Sequence, residues 1–113
     1  MQESILKNTV EKLLLLLSRG EYSTLIKRCA DSRLTADDVR RAINEYGGKP
    51  VMPPDNGYGD LDAILIKNSS PSKWSVRIPI WMADEGRSDL TLDIAIIVSK
   101  ERSEVILNDL HVP

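Results

Sequence analysis

From Trp74 to Val98 the chain alternates between two sets of side chains over two arms, and no other stretch restricts the fold so closely. In the first arm Trp74, Val76, Ile78 and Ile80 interleave with Ser75, Arg77, Pro79 and Trp81. In the second, Leu90, Leu92, Ile94, Ile96 and Val98 interleave with Thr91, Asp93, Ala95 and Ile97. Successive side chains of a strand point to opposite faces, so this period predicts two paired strands with one face on a core. Pairing Ile80 with Leu90 sets Ile78 opposite Leu92, Val76 opposite Ile94 and Trp74 opposite Ile96 on the core face. The other face then carries Arg77 against Asp93, Pro79 against Thr91 and Trp81 against Asp89. An opposite-charge pair across strands contributes from a few tenths to about 1 kcal/mol, which favours this register.

Elements before and after the hairpin follow from other periods. Ile5, Leu6, Val10, Leu13, Leu14 and Leu17 recur at helical spacing and predict a helix over residues 3–18, stopped at Gly20. Leu15 and Leu16 widen its apolar stripe. A second helix is expected over about 21–30. A third is expected from Thr35, whose hydroxyl can cap the Asp38 amide while the Asp38 carboxylate reaches back, to Gly47-Gly48. Residues 47–60 hold four glycines and three prolines and read as a linker without repeating structure. Strands are expected at 61–67 and 104–112, with turns at 68–72 and 100–102. Residues 82–88 are too many for a two-residue hairpin turn and read as a charged loop. The expectation is one α+β domain over 1–113. A helical layer (1–48), a linker (49–60) and a four-stranded antiparallel meander (61–113) follow in order, similar in shape to cystatin-like and NTF2-like folds.

Composition removes several function classes. Net charge is −2 without a basic block, so the electrostatic footprint of a nucleic-acid binder is missing. Five aromatic residues and no Phe leave little for base stacking. No apolar run approaches the ~20 residues that span a bilayer. Cys29 is alone, so an intrachain disulfide is impossible and a reducing, cytoplasmic location is expected. The single histidine, His111, precludes a two-histidine zinc motif, and no phosphate loop, dinucleotide fingerprint or nucleophile elbow is present. No metal and no cofactor are expected, and the reading leans away from an enzyme.

Three stretches of the C-terminal third, Trp-Ser-Val-Arg-Ile-Pro-Ile-Trp at 74–81, Glu-Gly-Arg-Ser-Asp-Leu-Thr-Leu at 85–92 and Asp-Leu-His-Val at 109–112, resemble a family of uncharacterised small bacterial proteins. The resemblance covers about residues 73–113 and implies no activity.

Candidate site residues come from the polar face. Placing Ile96 opposite Ile106 in the last strand sets Asp109 beside Asp93 and His111 beside Thr91. Arg77, Asp93, Asp109 and His111 then form one cluster, with Arg77 offsetting the repulsion of the two carboxylates. In that register Asn108 turns toward the core unless a bulge intervenes. The same face is expected to carry Trp81, Ala63, Leu65, Ile97, Val105 and Leu107, an apolar area that needs covering. Together with Asp84, Glu85 and Arg87 of the loop, these features predict a small interaction protein, of the immunity or antitoxin kind, that binds another protein or a second copy of itself. The alternative is a small-molecule-binding or enzymatic domain built on the Arg77, Asp93, Asp109 and His111 cluster.

Overall fold

The structure, a computed structural model, describes residues 2–68, 70–100 and 102–113. Ser69 and Glu101, which the sequence assigns to turns, lie outside the described residues. Helix α1 (Gln2–Ser18) is followed by α2 (Tyr22–Arg28), strand β1 (Asp31–Ser32) and α3 (Ala36–Tyr46). Strand β2 (Pro50–Val51) and a 3-10 turn (Asp55–Asp60) lead into β3 (Asp62–Leu65), β4 (Ser72–Met82), β5 (Gly86–Ser99) and β6 (Arg102–His111).

The α+β class is as expected, but the sheet is not a four-stranded meander. Among the described residues it has six strands and is mixed, in the order β1-β6-β5-β4-β2, with β3 beside β4 on the same edge as β2. β1 runs parallel to β6, with the Ala30 amide bonded to the Val105 carbonyl and the Arg33 amide to that of Leu107, both at 2.8 Å. A two-residue strand has no period to read. β1 and β2 exist because the edges of β6 and β4 recruit them. This also ends α2 at Arg28, before the expected Ala30, and puts a strand and a 3-10 turn inside the linker that was expected to lack both.

The helices lie on one face of the sheet. Leu6, Val10, Leu13, Leu14 and Leu17 of α1, Leu25 of α2 and Val39 and Ile43 of α3 pack with Val76, Ile78, Ile80, Leu92, Ile94 and Ile96 in one buried cluster. Leu16 packs partly against it, whereas Leu15 is exposed. Thr9 ties α1 to β6. Its hydroxyl donates to the Ile5 carbonyl at 2.7 Å, so the 2.7 Å bond to Ser103 has the Ser103 hydroxyl as donor. The expected cap of α3 forms: Asp38 N–H donates to Thr35 Oγ1 at 3.1 Å and Thr35 N–H to Asp38 Oδ2 at 2.9 Å.

The central hairpin follows the expected register from Trp74–Ile96 through Pro79–Thr91. Beyond Pro79 it departs, and Trp81 faces Arg87 where Asp89 was expected, because Ser88, Asp89 and Leu90 together oppose only Ile80. The Ser88 hydroxyl closes this bulge, donating to the Ile80 carbonyl at 2.6 Å and accepting from the Leu90 amide at 3.2 Å. β4 therefore runs to Met82 and β5 begins at Gly86, whose φ of +80° suits a residue without Cβ. The long charged loop shrinks to a tight turn. Pro79 has no strand on its other side, since β3 reaches only Arg77 and β2 begins at Trp81, so its missing N–H goes unnoticed there.

A second bulge corrects the last strand. Ile96 faces Val105, where Ile106 was expected, and Asn108 is the extra residue between Leu107–Ile94 and Asp109–Asp93. Val105 and Leu107 are thereby buried in the core, away from the outer face they were expected to share. Asp109 and His111 still fall opposite Asp93 and Thr91. Ala63 and Leu65 are likewise not on the outer face: they pair with Val76 and Trp74 and share the core phase, leaving Ile64 and Ile66 to the outer one.

Candidate binding face of the sheet

The face turned away from the helices is built of rows that cross the strands. One row is Asp62, Arg77, Asp93 and Asp109 on β3, β4, β5 and β6. The next toward the β5–β6 turn is Ile64, Ser75, Ala95, Ile106 and Asp31, which spans five strands. Beyond it Ile97 lies between Lys73 and Glu104. Ser75 and Ala95 are short and adjacent at the middle of the sheet, whereas Lys73, Ile106 and Ile66 are long, so the surface sinks between them. The resulting trough has a volume of about 530 Å³ and is lined by Asp31, Arg33, Ile66, Lys73, Ser75, Asp93, Ala95, Ile106 and Asn108. Arg33 and Lys73 stand with Asp31 and Asp93 around a floor of Ser75 and Ala95. A ligand that offers separate hydrogen-bonding groups of both signs fits such a lining better than a simple ion does.

Of the residues singled out in the sequence, Arg77, Asp93, Asp109 and His111 do share this face, and Asp93 lines the trough itself. Arg77 and Asp93 are directly opposed, yet no ion pair joins them among the described residues. His111 Nδ1 lies 3.1 Å from Asp109 Oδ2 without hydrogen-bond alignment, so the contact is ionic and present only when the imidazole is protonated. Asp109 Oδ1 is already taken by the Leu110 amide at 2.8 Å. No proton relay is set up by this arrangement. Cys29 donates to the Leu25 carbonyl at 3.3 Å, and burial pushes its thiol pKa up, which opposes a thiolate nucleophile. Among the described residues no group of three or more His, Cys, Asp or Glu side chains could hold a metal, and no helix is long and apolar enough to cross a membrane.

The remaining candidates serve the turn. The Tyr46 hydroxyl shares its one proton between the two Glu85 carboxylate oxygens, at 2.7 and 2.9 Å, and accepts from the Asp89 amide at 3.3 Å. The bond to Glu85, with some burial, holds the Tyr46 phenol above its ordinary pKa. Glu-Gly-Arg-Ser-Asp thus pins the end of α3 to the hairpin: Glu85 ties Tyr46, Gly86 turns, and Ser88 closes the bulge. Asp84 is exposed in the turn and Arg87 opposes Trp81. Trp81 is half-buried under the linker. A Cβ on Gly57 would lie 3.2 Å from its ring and 3.0 Å from Pro53, so only glycine lets the chain cross there without a shift. Next to Gly57, the centre of the Tyr58 ring lies 5.2 Å from Lys7 Nζ of α1.

The trough residues Asp31, Arg33, Lys73, Ile106 and Asn108 were missed in the sequence. Ser75 opposite Ala95 was legible, since the hairpin register places two small side chains together. Asp31 and Arg33 left no signal, because only the pairing of β1 with β6 brings them to this face.

A family model described as a domain of unknown function (DUF7668) matches residues 14–113. The chain belongs to this family. The match takes in the whole sheet and most of the helical layer, well beyond the 73–113 stretch that carried the resemblance. No curated protein and no solved structure matches the chain, so the likeness to cystatin-like and NTF2-like folds gains no support.

Proposed function

We propose that this DUF7668 domain is a protein-binding module of the cytoplasm that presents the outer face of its sheet to a partner, in the manner of an immunity or antitoxin protein. One observation carries the reading: the trough over Ser75 and Ala95 is left open by every element of the fold while its rim holds Asp31, Arg33, Lys73, Asp93 and Asn108. Extended polypeptide supplies donors and acceptors at regular spacing together with apolar side chains, which is what this lining can use. The lone, partly buried Cys29 suits a reducing compartment. A photo-crosslinking residue at Ser75 should trap one discrete protein in cells of the native host, and the same probe at Asp37 on α3 should not. Equal labelling from both positions would sink the proposal.

One observation favours a small molecule in its place. The trough volume lies within the roughly 300–1,000 Å³ of ligand pockets. On that reading a metabolite raises the melting temperature of the wild-type protein and Ala95→Arg abolishes the rise, with no protein trapped at Ser75.

A further inference from the structure

The three strands that end the sheet are not equally protected. β1 and β2 are two residues each; β1 carries exposed Asp31, and β2 begins with Pro50, which has no N–H to offer. β3 is twice as long and has only Asp62, at its first residue, as a defence. Among the described residues it pairs with β4 alone, and its other edge meets no strand. Ile64, Leu65 and Ile66 are 60%, 47% and 40% exposed, three consecutive apolar residues that alternate between the two faces.

The ladder tells which backbone groups are free. The Ile66 amide bonds to the Lys73 carbonyl at 2.8 Å, so Ile66, Ile64 and Asp62 direct their backbone groups toward β4. By the same alternation Ala63 and Leu65 direct theirs outward. Two donors and two acceptors at strand spacing specify an extended chain as the occupant.

We infer that β3 pairs with β3 of a second copy, antiparallel across a two-fold axis normal to the sheet, so that two six-stranded sheets become one. The segment is complementary to itself under that operator: Asp62 and Lys67 flank the apolar residues, and antiparallel pairing brings the acidic end of each strand to the basic end of the other. An axis normal to the sheet preserves its faces. Ile64 and Ile66 of both copies therefore meet on the outer face, and Leu65 of both on the other. Ile66 is also a wall of the trough, so the two troughs would open onto one continuous surface. The pairing needs no ligand in the trough, and Ala95→Arg should leave it intact.

Sedimentation equilibrium of the wild-type protein near 100 µM, about a hundredfold above a micromolar Kd, should give twice the chain mass of 12.7 kDa and dissociate on dilution. Leu65→Pro removes an outward N–H and none that β4 uses, and Ile64→Lys places a charge opposite Ile66 of the other copy, one residue from the axis. Each should give a monomer with unchanged circular dichroism. A wild-type monomer at that concentration overturns the inference, as does a dimer that survives both substitutions. Should either variant misfold, hydrogen exchange of the wild type decides. Amides of Ala63 and Leu65 that exchange more slowly near 100 µM than near 1 µM support the pairing, and equal rates at the two concentrations refute it.

Discussion

The two faces of this sheet are drawn from the same strands, residue by residue in alternation, yet they meet opposite fates. On one, Val76, Ile78, Leu92, Ile94 and Ile96 are buried under three helices. On the other, Ser75 and Ala95 floor an open trough, and the large Trp81 is covered only where the linker crosses at Gly57. Apolar character alone does not separate them. Ala95 is buried on the outer face by its strand neighbours, while Leu65, on the core phase, is exposed because no helix extends over β3. Burial follows where the covering layer ends as much as what the residue is.

The contrast is broken most directly by truncating one large side chain on each face. Leu92→Ala should cost about 2–5 kcal/mol, since Leu92 is fully buried and its cavity lies between β5 and the helices. Ile64→Ala, at 60% exposure, should stay within about 0.5 kcal/mol for the monomer. Urea denaturation at protein concentrations low enough to exclude association measures both, and equal losses would show that the outer face is covered after all.

Next in size is the linker crossing. Gly57→Ala should cost about 1–3 kcal/mol, because the added Cβ comes within 3.0–3.2 Å of Pro53, Pro54 and the Trp81 ring, which must all give way in a packed crossing. Tryptophan fluorescence should report a more solvated Trp81. An unchanged emission spectrum together with an unchanged denaturation midpoint would mean that the linker does not shield this end of the outer face.

The smallest effect lies in the covering layer itself. Thr35→Ala should weaken α3 by about 1 kcal/mol through loss of its cap. The Thr35 backbone N–H, and then its hydroxyl, hold the Asp38 carboxyl below the usual aspartate value. A carboxylate lowered in the folded state stabilises fully above its unfolded pKa, and that contribution fades as pH falls through the folded value. Stability should therefore drop with acid across that window, and the drop should be smaller in Thr35→Ala. A nuclear magnetic resonance titration should place Asp38 higher in the variant; coincident curves would remove the hydroxyl from the account.

What the sequence determined by itself is whatever rests on local period and local chemistry. The alternation from Trp74 to Val98 gives the hairpin register as far as Pro79–Thr91, helical spacing gives the inner stripe of α1, and Thr35 with Asp38 gives the cap of α3. Arg77 and Asp93 were legible as a shared face because both follow from strand phase, whereas Asp109 and His111 reach that face only through the bulge at Asn108. Tertiary structure decided everything that depends on one residue too many or two residues too few. The bulge at Asn108 sends Val105 and Leu107 inward, and the bulge at Ser88 shortens the turn and moves Trp81 to Arg87. The two-residue strand β1 brings Asp31 and Arg33 to the trough. A single inserted residue reverses the phase of all that follow it, and a pairing of two residues has no period of its own, so both are settled only by the strand alongside.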